Sequence, residues 1–344
     1  MNETPASLGY RMPAEWEPHA ATWLTWPHNP ETWPGQDMQK VETEFLNIVR
    51  PLVKNESVHI LVDYEQMESS VITALKEHDM DMENIFMHDI PTNDSWIRDY
   101  GPNFIVHDNG TIAANDWDFD SWGRKYKWEL DDLAGTVIAE ESHPFKPEIV
   151  LEGGAIEVNG VGTCVTTESC ILNPNRNNAI SRMEMETVLQ DYLGVSKIIW
   201  LHGGMEGDDT DGHIDNLARF VNPTTLVCAV EEDEDDANYS CLKKNYDHLR
   251  AVTDQDDNPF EIVALPMPGY VGNAKERLPA SYANFYIANK SVLVPVYGHA
   301  NDKLALAILE PLFPEREIIA IPSSALIWGL GSVHCLTQQQ PAVG

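Results

Sequence analysis

Apolar positions along the chain follow two alternating periods. From Asp37 to about Val53 they fall at Val41, Phe45, Ile48, Val49 and Leu52, one face of a 3.6-residue helix. Gln66 to Glu77, Ile180 to Tyr192, Tyr239 to Val252 and Asp302 to Leu312 carry the same helical spacing. Between these stretches the apolar residues gather into runs of strand length: Ala21 to Trp26, closed by a proline-rich loop through Trp33-Pro34-Gly35, then Val58 to Val62, Ile85 to Met87 and Ile318 to Ile321.

Four further stretches read as strand, turn, strand: Phe104 to Ala113, Ala155 to Val165, Ala218 to Val227 and Asn284 to Val294, with Asn-Gly or a similar pair at the bend. Short apolar strands stand before most of them, at Ile149 to Leu151, Ile198 to Leu201 and Ile262 to Leu265. A hairpin recurring at roughly 50 to 65 residues with a helix between repeats predicts radial repetition of a ββαβ-like element. The alternative is an α+β sandwich whose hairpins recur by coincidence.

Polar residues mark the junctions of these units. Asn93 to Pro102, with Arg98-Asp99, leads into the first hairpin. Leu151-Glu152-Gly153-Gly154 leads into the second, and Asp211-Gly212-His213-Ile214-Asp215-Asn216 into the third. Near the C-terminus, Gly329-Leu330-Gly331-Ser332-Val333-His334-Cys335 places a lone cysteine after a glycine-rich turn, where backbone and ligand approach closely. Equivalent points of a radial repeat converge on its axis, so Asp99, Glu152, His213, Asp215 and Cys335 are expected to meet in one central pocket.

Charge narrows what that pocket takes. The 344 residues hold 22 Lys plus Arg against 55 Asp plus Glu, a formal net charge of −33. Such a field repels nucleic acid and anionic membranes and draws small cations into an acidic cleft. The run Glu231 to Asp236 is read as an exposed loop. Met1 to His19 has no apolar leader core, and no run approaches the roughly 20 apolar residues of a membrane span, so the expectation is a cytoplasmic protein. Five cysteines, odd in number and without a C-x-x-C pair, suggest reduced thiols rather than disulfides or a zinc site.

These residue types suit a guanidine. Paired carboxylates bind a planar guanidinium through charge-assisted hydrogen bonds, a part for Asp99 and Asp215. A Cys335 thiolate would attack the central carbon, His213 would deliver a proton to departing ammonia and then activate water, and Glu152 would orient His213. Asp208, Asp209 and Asp211 are candidates to meet a second cationic group. Taken singly, Asp99 fits an Asx turn, Glu152 a strand-end ion pair and His213 a helix cap. Other chemistries fit poorly. Setting Gly212 as the invariant glycine of a calcium loop places Gly207 and Ala218 at its first and last ligands, and no metal-ligand spacing supports His213 and Asp215 with His202 or His334.

The ordered motifs resemble the agmatine deiminase family, related to bacterial-type peptidyl-arginine deiminases within the guanidine-modifying superfamily. The likeness rests on Met12-Pro13-Ala14-Glu15-Trp16-Glu17-Pro18, Thr22-Trp23-Leu24, Trp33-Pro34-Gly35, Asp94-Ser95-Trp96 with Arg98-Asp99, Glu152-Gly153-Gly154, Asp209-Thr210 with Gly212-His213-Ile214-Asp215, and His334-Cys335 with Thr337-Gln338-Gln339. The resemblance implies an α/β five-bladed propeller (pentein) with pseudo-fivefold ββαβ repeats around a central active site, as one catalytic domain over residues 1–344. It implies a hydrolase of C–N bonds in linear amidines that converts agmatine to N-carbamoylputrescine and ammonia, with no cofactor and no metal, as a homo-oligomer. It carries the nucleophile to Cys335, acid/base work to His213 and Glu152, substrate carboxylates to Asp99 and Asp215, and a substrate-contacting aromatic to Trp96; Asp209 is added as a neighbour for the distal amine. The alternatives are a deiminase of peptidyl or free arginine and a non-catalytic binder of cationic guanidines. One departure stands out. The family's run before His-Cys is usually three glycines and then Asn or Gly, whereas this chain has Gly329-Leu330-Gly331-Ser332, and Leu330 is not expected to take up the positive φ open to glycine and adds volume beside the cysteine. The Trp16 to Trp33 region is the expected cover of the pocket.

Overall fold

A computed structural model of the chain describes residues 3–343, apart from the side chains of residues 64–66. Met1, Asn2 and Gly344 of the expected 1–344 domain, and with them the start of the N-terminal reading, lie outside the described residues. The strands form five sheets. In the second, Ile156–Val158 pairs antiparallel with Thr163–Thr167, which pairs in parallel with Lys197–Leu201. The third repeats this with Ala218–Asn222, Thr225–Val230 and Glu261–Pro266, and the fourth with Tyr286–Ile287, Ser291–Val296 and Glu317–Pro322. The first consists of Asn103–His107, Ile112–Asn115 and the short Pro144–Phe145, edged by Tyr10–Arg11.

A parallel pair needs a crossover, and each unit supplies a helix for it: Glu129–Glu140 in the first, Arg182–Leu193 in the second, Tyr239–Leu249 in the third and Asp302–Leu309 in the fourth. Local chemistry sets their ends. Ser181 and Glu184 form a capping box at the start of Arg182–Leu193, and Gly194 ends it at φ 68°.

The fifth sheet joins the two ends of the chain. Gln338–Pro341 lies antiparallel to His19–Thr25, with Trp23 opposite Gln338, and His19–Thr25 continues in parallel to Ser57–Val62 and Ile85–Asp89. Its crossover is Met38–Leu52, whose Asp37 cap accepts from Gln39 N and which buries Val41, Phe45, Ile48, Val49 and Leu52, the face read from the sequence. The five ββαβ units make the expected five-bladed α/β propeller, the pentein fold.

Two readings of the chain need correction. Ile149 to Leu151 is not a strand: only Val150 forms an isolated bridge, to Asp118, and Pro144–Phe145 completes the first sheet. Val150 N is held by the Asn177 side chain and Leu151 N by the Asp118 carbonyl, so the segment leaves the sheet and carries Glu152 toward the axis. The helix Glu129–Glu140 also escaped the periodicity, because its first turn is acidic and its buried face is mostly small, with Ala134, Gly135 and Ala139 beside Ile138.

Candidate active site

The inner strand of each blade starts just beyond a polar junction, and the five junctions lie at the same end of the ring. A short helix, Ile97–Tyr100, carries Asp99 and packs on the 3-10 turn Gly153–Ala155 that follows Glu152; that turn packs in its turn on Ile214–Asn216, which holds Asp215 beside His213. Cys335 precedes the closing strand. All five expected residues are buried.

Gly154 is the point around which three of them gather. A Cβ there would lie 2.6 Å from His213 Nδ1, 2.7 Å from Asp99 Oδ1 and 3.1 Å from Asp215 Oδ2, so only a glycine leaves room for the set. Asp99 accepts from Gly154 N at 2.9 Å and from Trp122 Nε1 at 3.0 Å, and its Oδ1 lies 3.6 Å from His213 Nδ1. Asp215 Oδ2 lies 2.8 Å from His334 Nδ1 and 3.6 Å from Cys335 Sγ. Its other oxygen is buried without a hydrogen-bond partner among the described residues, as are both ring nitrogens of His213. Those atoms are what an incoming polar group would satisfy.

The surrounding charge sets each proton. Burial works against the His213 cation, but Asp99, Asp215, Glu152 and Asp208 outweigh it and raise its pKa. Burial raises Asp99, whereas in Asp215 the opposing pull of His334 and His213 prevails over burial and lowers the pKa. The Cys335 thiol is pushed well above its ordinary value, first by burial and then by Asp215 and Asp99, so the thiol of the free protein is not acidic.

Beneath this set lies a layer of buried ion pairs. Glu15 meets Arg219 and His334 Nε2 at 2.8 Å and Arg98 at 3.4 Å, and Glu157 meets Arg219 at 2.8 Å. Arg98 and Arg219 are therefore committed to these acids.

Above the set opens a cavity of about 850 Å³ with Cys335 and Asp99 among its walls, Trp96 and Trp122 as aromatic faces, and the carboxylates of Glu31, Asp94, Asp209 and Glu276. Asp209 stands 2.7 Å from the Tyr126 hydroxyl and 3.3 Å from Lys125. Asp208 and Asp211 are not part of the wall. Asp208 bonds Thr210, and Asp211 pairs with Arg176. The cover comes from residues 28–34. Trp16 instead lines a separate cavity of about 360 Å³, and Trp33 packs under Trp96 with ring centroids 5.7 Å apart. Gly329 and Gly331 admit this pair, since a Cβ at either would come within 2.7 Å of the Trp96 ring.

Leu330 departs from expectation. It adopts φ 68°, ψ 9° and lines the cavity half-buried. The turn is held by Leu330 N donating to Ile327 O at 2.9 Å, and the side chain packs with Trp328 on the apolar core of the fourth blade. Those contacts fix a conformation that disfavours L-residues by about 1–2 kcal/mol.

Residues that hold the polar atoms of the site went unread in the sequence, among them Trp122, the donor to Asp99. Asn284, at the fourth junction, donates from Nδ2 to Cys335 Sγ at 3.1 Å and accepts His334 N at 3.0 Å. Its signal was positional, since the fourth unit had no named junction residue. Arg176, on the short helix Pro174–Asn177, donates to Glu152 Oε1 at 2.8 Å, so the hydrogen bond of Glu152 goes to this guanidinium and not to His213. No local pattern marks a lone arginine in a polar stretch.

Residues 11–341 match the family of Porphyromonas-type peptidyl-arginine deiminases. An agmatine deiminase of Pseudomonas aeruginosa (strain UCBPP-PA14) is 35% identical, with 98% of this chain and 97% of that protein covered. The structure of agmatine deiminase of Enterococcus faecalis, described as catalysing its reaction, superposes with a TM-score of 0.92 at 30% identity over 99% of this chain and 98% of that one. A Cys-to-Ser variant of the C. jejuni agmatine deiminase with substrate bound gives 0.86 at 30% identity, covering 97% of each chain.

Proposed function

The chain belongs to the Porphyromonas-type peptidyl-arginine deiminase family, and from that premise we propose that it is an agmatine deiminase, hydrolysing agmatine to N-carbamoylputrescine and ammonia. Similarity to agmatine deiminases over nearly the whole chain supports this. The observation that carries it is Asp215, which has one oxygen 3.6 Å from the Cys335 thiol and the other buried and unpartnered among the described residues. A guanidinium donates in a planar fork. Set between Asp99 and Asp215, it satisfies that oxygen and presents its central carbon to sulfur.

The substrate cation offsets the carboxylates that hold the Cys335 proton, so on binding the thiol gives that proton up to solvent and the thiolate forms. Sulfur then adds to the guanidinium carbon. The tetrahedral adduct expels ammonia once His213 protonates the departing nitrogen, leaving a thiouronium bound to Cys335. Neutral His213 next takes a proton from water as its oxygen adds to the same carbon. Breaking the C–S bond returns the thiolate and leaves the urea, while the hydroxyl proton passes to the released ammonia as ammonium. Glu152 and Asp99 stabilise the His213 cation, and Trp96 walls the alkyl chain. No step calls for a cofactor.

The wall carboxylates decide among guanidines. Agmatine brings a second cation to Glu31, Asp94, Asp209 and Glu276, whereas free arginine brings a carboxylate into the same field. An unpaired carboxylate among like charges costs on the order of 3 kcal/mol, so agmatine should exceed arginine by at least about 100-fold in kcat/KM. Ammonia release from agmatine, arginine and a blocked arginyl peptide tests this. Comparable efficiency on either arginine substrate moves the assignment to an arginine deiminase, and agmatine bound without turnover makes the protein a binder. The same proposal takes residues 1–344 as one catalytic domain, working as a homo-oligomer in the cytoplasm. It is supported there by five free cysteines and by the absence, among the described residues, of any helix long and apolar enough to cross a membrane. Light scattering on the purified protein checks the assembly.

A further inference from the structure

Cys170 is a fully buried thiol that the proposed reaction does not use. It sits on the short helix Glu168–Ile171, with Sγ 3.9 Å from Glu152 Oε2. One ligand atom each from Glu152, Cys170 and His213 lies within 4.8 Å of the other two. Independently of the thiol, His213 points to a ligand: its side chain is fully buried, and neither ring nitrogen has a hydrogen-bond partner among the described residues. Glu152 divides its oxygens to match, with Oε1 held by Arg176 at 2.8 Å and Oε2 turned to the sulfur.

We propose that Glu152, Cys170 and His213 form an inhibitory site for Zn²⁺. A thiolate, an imidazole and a carboxylate are the donor types zinc selects, while Mg²⁺ and Ca²⁺ require shells of six or more oxygens that these residues do not offer. Around a tetrahedral zinc with bonds of about 2.0–2.3 Å, neighbouring ligand atoms stand roughly 3.3–3.8 Å apart. The three side chains therefore close by about 1 Å, a small rotamer adjustment. Binding is an exchange: the metal takes the Cys170 sulfur as thiolate and His213 as neutral imidazole, and the thiol proton and the imidazolium proton both leave to solvent. Asp99, with Oδ1 3.6 Å from His213 Nδ1, adds a negative charge that favours the metal, whereas the Arg176 guanidinium, 4.0 Å from the Cys170 sulfur, opposes it. A His213 bound to zinc neither delivers nor accepts a proton, so turnover stops. That consequence rests on the role proposed above for His213, whereas the binding site itself does not.

The test separates the two. Purified full-length protein, freed of metal, is titrated with Zn²⁺ by calorimetry, and with Co²⁺ while the sulfur-to-cobalt absorption is followed. The wild type should take up one tight equivalent. Cys335→Ser should keep the equivalent and the band. Cys170→Ala should lose the band and weaken Zn²⁺ binding by more than about 100-fold, since outer-shell partners alone are worth 10–100-fold. Cys170→Ser, closer in volume, repeats the measurement should the alanine variant fold poorly. In the activity arm, agmatine turnover by Cys170→Ala should persist at Zn²⁺ concentrations that silence the wild type. Binding that disappears with Cys335 and survives loss of Cys170 overturns the proposal, as does a wild type that takes up no zinc.

Discussion

Asn284 offers the sharpest test of how the site handles the charge on sulfur. Its Nδ2 is 3.1 Å from Cys335 Sγ, its Oδ1 accepts His334 N at 3.0 Å, and Nδ2 also reaches Asn216 Oδ1 at 3.1 Å. Around the thiol, Asp215 and Asp99 oppose ionisation, while Asn284 and the Ser332 backbone favour it. In Asn284→Ala the thiolate loses a side-chain donor. A hydrogen bond to a charged group contributes about 1.5–3 kcal/mol, so kcat should fall roughly 10- to 150-fold. KM should change little, because the substrate carboxylates are untouched. The loop should hold, since His334 N also donates to the Asn284 carbonyl at 3.1 Å, a main-chain bond that survives the substitution. Asn284→Asp removes the same donor and adds a negative charge, so it should lose more than the alanine variant. Steady-state kinetics on agmatine reads the loss, and the pH dependence of alkylation by a neutral reagent reads its cause, with the profile moving to higher pH in both variants. If both keep kcat within about threefold of wild type with unmoved alkylation profiles, Asn284 does not stabilise the thiolate.

Cys335→Ala should abolish turnover while agmatine still binds, and mass spectrometry of the trapped wild-type reaction should find the amidine-bearing adduct on the peptide containing Cys335. Burial pushes the Asp94 carboxyl up to about 6 despite hydrogen bonds from Thr32 and Ser95. This wall group is therefore neutral below that pH and charged above it, so KM for dicationic agmatine should rise as pH falls from 7 to 5, and Asp94→Asn should flatten that dependence. Leu330→Gly relieves about 1–2 kcal/mol of left-handed strain but loses packing and loosens the unfolded chain, so stability should stay within about 1 kcal/mol by denaturant titration. The wider wall should narrow the preference for agmatine over arginine in kcat/KM.

Four of the five blades were legible because a hairpin with Asn at its bend is a local signal. Of the fifth, the strands at Ala21 to Trp26, Val58 to Val62 and Ile85 to Met87 were legible, but not the strand that completes it once the chain ends meet: Gln338–Pro341 carries three glutamines and reads as polar, yet it is mostly buried against His19–Thr25. The residues named for the site fell at junctions recognisable by their glycines and titratable groups. Asn284 carries no charge and no motif, and only equivalence of position under the repeat identifies it. Arg176 and Cys170 come from an irregular stretch after the second blade's hairpin, whose place against Glu152 is set by tertiary packing. Leu330 shows the reverse case, a propensity overruled by its turn.

The N-terminal motif around Glu15 finds its explanation in the charge balance of the axis. Burial alone would make a carboxylate there neutral, but Arg219, His334 and Arg98 hold it ionised, well below the usual carboxylate range. Its two oxygens take up Arg219 and His334 at 2.8 Å, and Ile287 N donates to it at 2.8 Å. Glu157 completes the pairing of Arg219, and Arg98 turns to Glu15. The lower layer of the axis is thus largely neutralised within itself. Arg176 is likewise committed to Glu152 and Asp211. What is left above is Asp99 and Asp215 beside His213, with one carboxylate oxygen buried and unpartnered among the described residues. A buried ion whose partner is removed costs about 3–5 kcal/mol, and on the function proposed above the incoming guanidinium cation offsets that cost. Breaking the lower layer should therefore damage catalysis before it damages the fold's outline. A Glu15→Gln variant leaves Arg219 and His334 with one charge fewer between them, drawing His334 toward Asp215 and taking acceptor strength from the carboxylate proposed to hold the guanidinium.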